Sequence, residues 1–114
     1  MLPQEHRLKK TKEIERVWKS GRSFFGPLVQ IKAAPNRLQV TRFAVVVGTK
    51  AEKRAVKRNL WKRRTREILR AVIGTIKPGF DVIVSAKKGS TDASFETVEY
   101  NLLGVLRAAK LIGV

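Results

Sequence analysis

Apolar residues recur along the chain with two different periods, and each change of period marks an element. Ile14, Val17 and Trp18 fall at i, i+3 and i+4 behind Thr11, a candidate N-cap, and Gly21 follows as a stop. That spacing predicts a short helix over 12–19. "RSFFGP" interrupts it with Gly26 and Pro27. In "LVQIKA", Val29, Ile31 and Ala33 alternate with Leu28, Gln30 and Lys32, the period of a strand. "APNRL" (34–38) reads as a turn, because proline presets one dihedral and asparagine tolerates the left-handed region. "QVTRFAVVVG" is a longer strand, apolar on both sides from Phe43 to Val47, which predicts a central place in a sheet.

A helical period returns in "KRAVKRNLWKRRTREILR", Lys53 to Arg70, and "IKPGFD" ends it with a Pro-Gly pair. "FDVIVSA" (80–86) is a β-branched strand, and "KKGSTD" a loop. Ser94 or Asp92 can cap a last helix in which Phe95, Val98, Leu102, Val105, Leu106 and Ala109 form one apolar stripe. The order is α-β-β-α-β-α, with room for a further short strand near Ser23–Phe25. It predicts an α+β or α/β sandwich with a small sheet. No internal repeat or linker divides the 114 residues, so a single domain is expected over 1–114, with 1–10 as a mobile basic tail.

Charge changes this picture most. The formal net charge is +16, a self-repulsion that makes sense where a polyanion neutralises it. Residues 1–70 hold twenty Lys/Arg against five Asp/Glu, a surplus of fifteen; residues 71–114 hold five against four, a surplus of one. Such asymmetry points to nucleic acid or an anionic membrane. With no cysteine, a disulfide framework and thiolate metal sites are excluded. No segment approaches ~18 consecutive apolar residues and no signal-peptide run opens the chain, so a soluble cytoplasmic protein is expected.

At 3.6 residues per turn, Trp61, Thr65, Ile68, Leu69 and Val72 cluster on one side of the basic helix, the side that faces a core. Asn59, Lys62, Arg63, Arg66 and Arg70 gather opposite, with Lys53, Lys57 and Arg64 widening that face and Arg58 at the edge of the apolar stripe. A merely solvated helix carries nearly as many Glu as Lys and Arg, because opposite charges at i,i+4 stabilise it and like charges repel. Here Glu67 is the one acid among nine bases over Lys53–Arg70. It can pair with Arg63 or Arg70; the other cations are expected to stay unpaired. A membrane-lying helix needs its apolar face free, whereas this one is needed for packing. Arginine outnumbers lysine six to three, and its planar fork suits phosphate. Nucleic acid is the expected partner, not membrane. No helix–turn–helix partner, zipper, RRM aromatic signature or GXXG loop appears, so residue pattern alone reaches binding by backbone and shape.

The same segment resembles the signature of the protein subunit of bacterial ribonuclease P, Ala-Val-x-Arg-Asn-Arg-x-Lys-Arg-x-x-Arg-Glu. Here it reads Ala55-Val56-Lys57-Arg58-Asn59-Leu60-Trp61-Lys62-Arg63-Arg64-Thr65-Arg66-Glu67. "HRLKKTKEIERVWKSGRS", "RFAVVVGTK" and "GFDVIVSAKKG" resemble the family's first helix, central strand and following strand, so the resemblance covers nearly the whole chain. Two departures stand out. Leu60 replaces the second Arg of the triplet, a loss that Arg64 or Lys57 can compensate. The loop Thr49-Lys50-Ala51-Glu52-Lys53 differs from the family's Ser-Lys-Lys-x-Gly type.

The resemblance implies an α+β sandwich: a small mixed sheet of about four strands with three helices, the motif helix joining two parallel strands by a left-handed crossover. It implies that this helix and its loop face the catalytic RNA, which assigns Lys50, Lys53, Arg54, Lys57, Arg58, Asn59, Lys62, Arg63, Arg66 and Arg70 to RNA binding. A cleft between the first helix and the sheet then takes the 5′ leader of precursor tRNA, with Ile14, Trp18 and Lys32 as its residues. The holoenzyme removes that leader, with Mg²⁺ held mainly by the RNA and no stable protein partner required. The residues agree that the protein is not the catalyst. The chain has nine acids and one histidine, His6, and no paired histidines or acid cluster that a nuclease needs.

Two rivals stay open at this level, a small basic ribosomal or ribosome-assembly protein and an independent metal-dependent nuclease. Val17 is read as core, and Phe24, Phe25 and Trp61 as packing residues. Trp18 fits either a core position or a platform for an unstacked base.

Overall fold

The computed structural model describes residues 2–113; Met1 and Val114, the ends of the expected domain, lie outside the described residues. Besides three short 3-10 turns, seven α-helices and strands follow in order among the described residues: α1 (Thr11–Ser20), β1 (Arg22–Phe25), β2 (Val29–Pro35), β3 (Arg42–Val46), α2 (Ala55–Val72), β4 (Phe80–Ala86) and α3 (Phe95–Ala108). The strands form one mixed sheet in the order β1-β2-β4-β3. β1 with β2 and β2 with β4 run antiparallel, while β3 and β4 run parallel with α2 joining them. The chain is therefore an α+β sandwich of three helices and four strands, and the short strand at 22–25 is real.

Strand alternation sorts the core into two layers. Val29, Ile31, Phe43, Val45, Val82 and Val84 point to one face, where Trp61, Ile68 and Leu69 of α2 and Val98, Leu102, Val105 and Leu106 of α3 cover them. Ala34, Ala44 and Ile83 point to the other face and meet Val17 of α1, with Ile14 and Val46 packed alongside. Each fully buried Leu, Ile or Val contributes about 1.5–3 kcal/mol, so the larger layer supplies most of the hydrophobic stabilisation. The second face is covered where α1 crosses it and where Leu8 of the N-terminal segment packs beside Ala44 and Ile83. Beyond α1, Lys32 and Gln30 are half-buried and Phe25 is 68% exposed.

Several expectations need correction. β3 is an edge strand, not a central one. Both of its faces are buried, which explains its apolar run, and its outer edge is closed by the N-terminal segment. Leu8 N–H donates to Phe43 O at 2.8 Å, and Arg7 bridges Phe43 in parallel register. Residues 2–10 are thus not a loose tail: Leu2 and Leu8 are 2% and 4% exposed, and His6 Nδ1–H donates to Thr41 O at 2.8 Å. The two misreadings share one cause, since the tail supplies the neighbour that the edge strand would otherwise lack. Phe25 is exposed rather than packed, whereas Phe24 is half-buried against the core as expected.

Helix ends differ in detail from the caps read in the sequence. α1 begins at Thr11 itself, with Lys10 in the cap position and no side-chain cap bond. Gly21 does stop α1, but in extended conformation: a Cβ there would sit 2.5 Å from Val17 O, so the requirement is space. Ser94 caps α3, its Oγ accepting Thr97 N–H at 3.2 Å. In the β2–β3 turn Arg37, not Asn36, takes the positive φ of 60°. Asn36 instead bends the chain through its Oδ1, which accepts Leu38 N–H at 2.7 Å. Among the described residues no helix is long and apolar enough to cross a membrane.

Candidate nucleic-acid interface

The helical period of α2 does what its sequence predicts on the inner side. Trp61, Thr65, Ile68 and Leu69 are buried and Val72 is half-buried. Trp61 is also held by polarity, its Nε1–H donating to Ser90 Oγ at 2.8 Å within the core. With that stripe fixed, the opposite face must look outward, and it carries the cations.

That face divides into two parts. In the middle, Asn59, Lys62, Arg63, Arg66 and Glu67 line an open groove of about 470 Å³. Among the described residues Lys50, Lys53, Lys62, Arg63, Arg64 and Arg66 have no carboxylate partner. Arg70, a turn further on, donates to Glu67 at 3.2 Å. The start of the helix is different. Arg54 gives Nε to Glu52 Oε2 at 2.8 Å and Nη2 to Oε1 at 3.1 Å, and reaches Asp92 at 3.4 Å. Lys57 donates to the same Asp92 oxygen. Arg58 turns its Nη1 back onto the Glu52 and Lys53 carbonyls, at 3.0 and 2.7 Å. The expectation that every cation but Glu67's partner is unpaired therefore fails at Arg54 and Lys57. Their acids come from the loops before α2 and after β4, where helix periodicity could not reveal them.

Electrostatics follow these contacts. Hydrogen bonds from Arg54 first, and then from Thr91, hold the Glu52 carboxyl far below the usual carboxylate range. The Lys57 hydrogen bond and charge hold Asp92 low. Glu52 in turn raises the Arg54 guanidinium.

A second ionic cluster fixes α1. Asp81, on β4, has no exposed side-chain surface. Arg42 on β3 grips it through Nε and Nη2, each at 2.8 Å, and Arg16 on α1 and Asn36 each donate at 2.9 Å. Arg42 Nη2 also donates to Glu13 of α1 at 3.0 Å. Burial alone would raise the Asp81 carboxyl; the bonds from Arg42, Asn36 and Arg16 outweigh it and hold it low. Two α1 residues, Glu13 and Arg16, are thereby tied to β3 and β4.

Ile14 and Trp18, four apart, are neighbours on the clamped helix, but of the expected cleft residues only Ile14 lines the cleft beside β3; Trp18 and Lys32 lie outside its lining. Ile14 is half-buried and lines a cleft of about 470 Å³ with Arg7, Lys9, Val46 and Arg66. Trp18 is 41% exposed, so it is neither a core residue nor free of its surroundings. Lys32 Nζ donates to Trp18 O and stands 5.7 Å from the ring centroid, a cation–π distance. The sequence reading missed a second such pair on the open sheet face, Lys87 Nζ 5.8 Å from the Phe25 ring. An aromatic next to Gly26 and Pro27 was its only sign. Arg66 lines both the cleft and the groove of α2, so the two surfaces meet there.

Comparison with known proteins places this geometry. The family model described as Ribonuclease P matches residues 2–110. The "Ribonuclease P protein component" of Herpetosiphon aurantiacus is 34% identical over 110 residues, covering 96% of this chain and 89% of that protein. The component of the same name from a Picosynechococcus strain is 30% identical, covering 83% and 82%. Among solved structures, the RNase P protein of Staphylococcus aureus superposes with a TM-score of 0.87 at 28% identity, covering 95% of this chain and 98% of that one. The RNase P protein of Thermotoga maritima gives 0.81 at 30% identity, covering 90% and 96%.

Proposed function

The chain belongs to the ribonuclease P protein family, and from that premise we propose how its two surfaces serve the protein subunit of this endoribonuclease in tRNA 5′ maturation. As one RNA-binding domain in the cytoplasm, it docks on ribonuclease P RNA through the outward face of α2. Lys62, Arg63 and Arg66 carry the contact, with Lys50 and Lys53 from the preceding loop and Asn59 in the groove between them. Arg54, Lys57, Arg58 and Arg70 complete the face but are first engaged by groups of the protein itself. Guanidinium and ammonium groups without internal partners bind phosphate with release of counterions, which needs no base sequence.

The cleft receives the single-stranded 5′ leader of precursor tRNA. Ile14 supplies apolar contact inside the cleft, and outside its lining, one turn along α1, Trp18 stacks on an unpaired base with the charge of Lys32 beside the ring; stacking of this kind is worth about 1–3 kcal/mol per base, whatever the base. The observation that carries the reading is the junction at Arg66: a cation rail that binds one RNA runs directly into a cleft suited to another. Leader and catalytic RNA are then held side by side, which is what positioning a scissile phosphate requires.

Three of the protein's acids act as counter-ions. Asp81 serves Arg42 and Arg16, Glu52 serves Arg54, and Asp92 serves Lys57. Mg²⁺ is assigned mainly to the RNA, where it would activate water and stabilise the leaving oxygen, and the phosphodiester chemistry goes with it. The protein's own contribution is to bind, orient and neutralise.

One assay tests the proposal. Purified protein is added to ribonuclease P RNA at low Mg²⁺ and 5′ maturation of precursor tRNA is followed. Stimulation that requires the RNA is expected. Cleavage by the protein alone, or no effect on the RNA's reaction, would overturn it.

A further inference from the structure

The stretch Ser90–Asp92 is tied to the start of α2 residue by residue. Ser90 Oγ accepts Trp61 Nε1–H in the core, and Thr91 Oγ1 donates to Glu52 Oε1 at 2.6 Å. Asp92 Oδ1 then takes Lys57 Nζ and, at 3.4 Å, Arg54 Nη2. The first two bonds fix the place from which the third is made, so Asp92 is not a freely swinging surface acid. Glu52 aims the other partner, because it holds both Nε and Nη2 of Arg54. The meeting point is nonetheless open: Arg54 and Asp92 side chains are each 60% exposed. The first turn of α2 contains no acid of its own.

One oxygen shared by a guanidinium and an ammonium is how these groups also meet a non-bridging phosphate oxygen. We infer that Asp92 is a specificity-determining residue for RNA: its carboxylate occupies the phosphate position between Arg54, which Glu52 already holds, and Lys57, and withholds Lys57 from RNA that does not meet the rest of α2 at the same time. The inference rests on the reading of α2 as the RNA-binding face. A loosely held strand gains phosphate contacts one or two at a time, and at this position its gain is cancelled by the loss of Asp92. A folded RNA already engaged with Lys62, Arg63 and Arg66 presents its next phosphate in fixed register and displaces the carboxylate, which gives up only an exposed ion pair. Indiscriminate binding by a chain of +16 is the hazard that such a device limits.

The test compares wild type with Asp92→Asn, and with Glu96→Gln as an equal loss of negative charge on α3. Binding to poly(U) and to ribonuclease P RNA is titrated between 50 and 200 mM salt, and thermal melting checks that each variant is folded. Asp92→Ser serves as a second form of the same change. For Asp92→Asn, poly(U) affinity at low salt is expected to rise about two- to fivefold. Its log–log salt slope is expected to steepen by about 0.7, the signature of one added phosphate contact on a single strand. The slope for ribonuclease P RNA should stay as in wild type, and Glu96→Gln should move neither slope. An unchanged poly(U) slope, or equal effects of Asp92→Asn and Glu96→Gln, overturns the inference while leaving the RNA face intact. A flat wild-type slope on ribonuclease P RNA overturns the reading of α2 and the inference with it.

Discussion

Around Asp81, two guanidiniums and an amide converge on one buried carboxylate; along the middle of α2, Lys62, Arg63, Arg64 and Arg66 stand in near succession with no carboxylate partner among the described residues. The residue types are the same, and their surroundings assign opposite purposes. At Asp81 the charges join elements distant in sequence, since Arg16, Arg42 and Asp81 belong to α1, β3 and β4, and little is left over for a ligand. Along the middle of α2 no carboxylate among the described residues answers Lys62, Arg63, Arg64 or Arg66, and i,i+3 and i,i+4 repulsion between them costs stability that an anionic partner would return. On the proposed reading, the Asp81 cluster commits its guanidiniums to the fold, while the unpaired cations of mid-α2 are left for a ligand.

The largest expected effect breaks the structural side of that contrast. Asp81→Asn leaves Arg42 and Arg16 without their shared anion, and removing one partner of a buried pair typically destabilises by about 3–5 kcal/mol. The thermal midpoint should fall on the order of 10 °C, as read by calorimetry or circular dichroism. An unshifted midpoint would deny the cluster its role. The sign of the pH response follows from the same site. A carboxyl held low in the folded state stabilises above its unfolded value of about 3.9 and ceases to do so as pH falls through the folded value. Stability should therefore be flat from neutrality to about pH 5 and drop below about pH 4, with Glu52 adding to the loss. Asp81→Asn should flatten that drop.

On the functional side, replacing Lys62, Arg63 and Arg66 together by alanine should leave the melting midpoint within a few degrees. Affinity for ribonuclease P RNA should fall on the order of a hundredfold, with the salt slope shallower by about three. A collapsed thermal transition in this variant would show that the rail is structural after all. Trp18→Ala gives the smallest effect, on the order of tenfold weaker binding of leader-bearing precursor with mature tRNA unaffected, as expected for one stacked base. Equal weakening of both RNAs would remove the base-stacking role.

Some of this was legible in the sequence and some was not, for physical reasons. The stripe Trp61, Thr65, Ile68, Leu69 was readable because helix period ties spacing to face, and the two sheet layers were readable because strand period does the same. Sheet order was not. An apolar run says that both faces of β3 are covered but not what closes its edge, and here the cover is Leu8, drawn from a segment with no period of its own. The rail itself was readable from charge. Its split into a paired start and an open middle was not, because Arg54 and Lys57 meet Asp92 across 38 and 35 residues of sequence. Phe25 was misread for a similar reason: alternation puts it on the face opposite Phe24, and nothing in the sequence announces that α1 stops short of covering it.

The most direct measurement is a salt titration of the wild-type protein on ribonuclease P RNA. If the open cations of α2, with their neighbours, neutralise six to ten phosphates, affinity should fall by about 10³–10⁵ between 50 and 200 mM salt. A nearly level response over that range would mean that this face of α2 does not hold RNA by its charge.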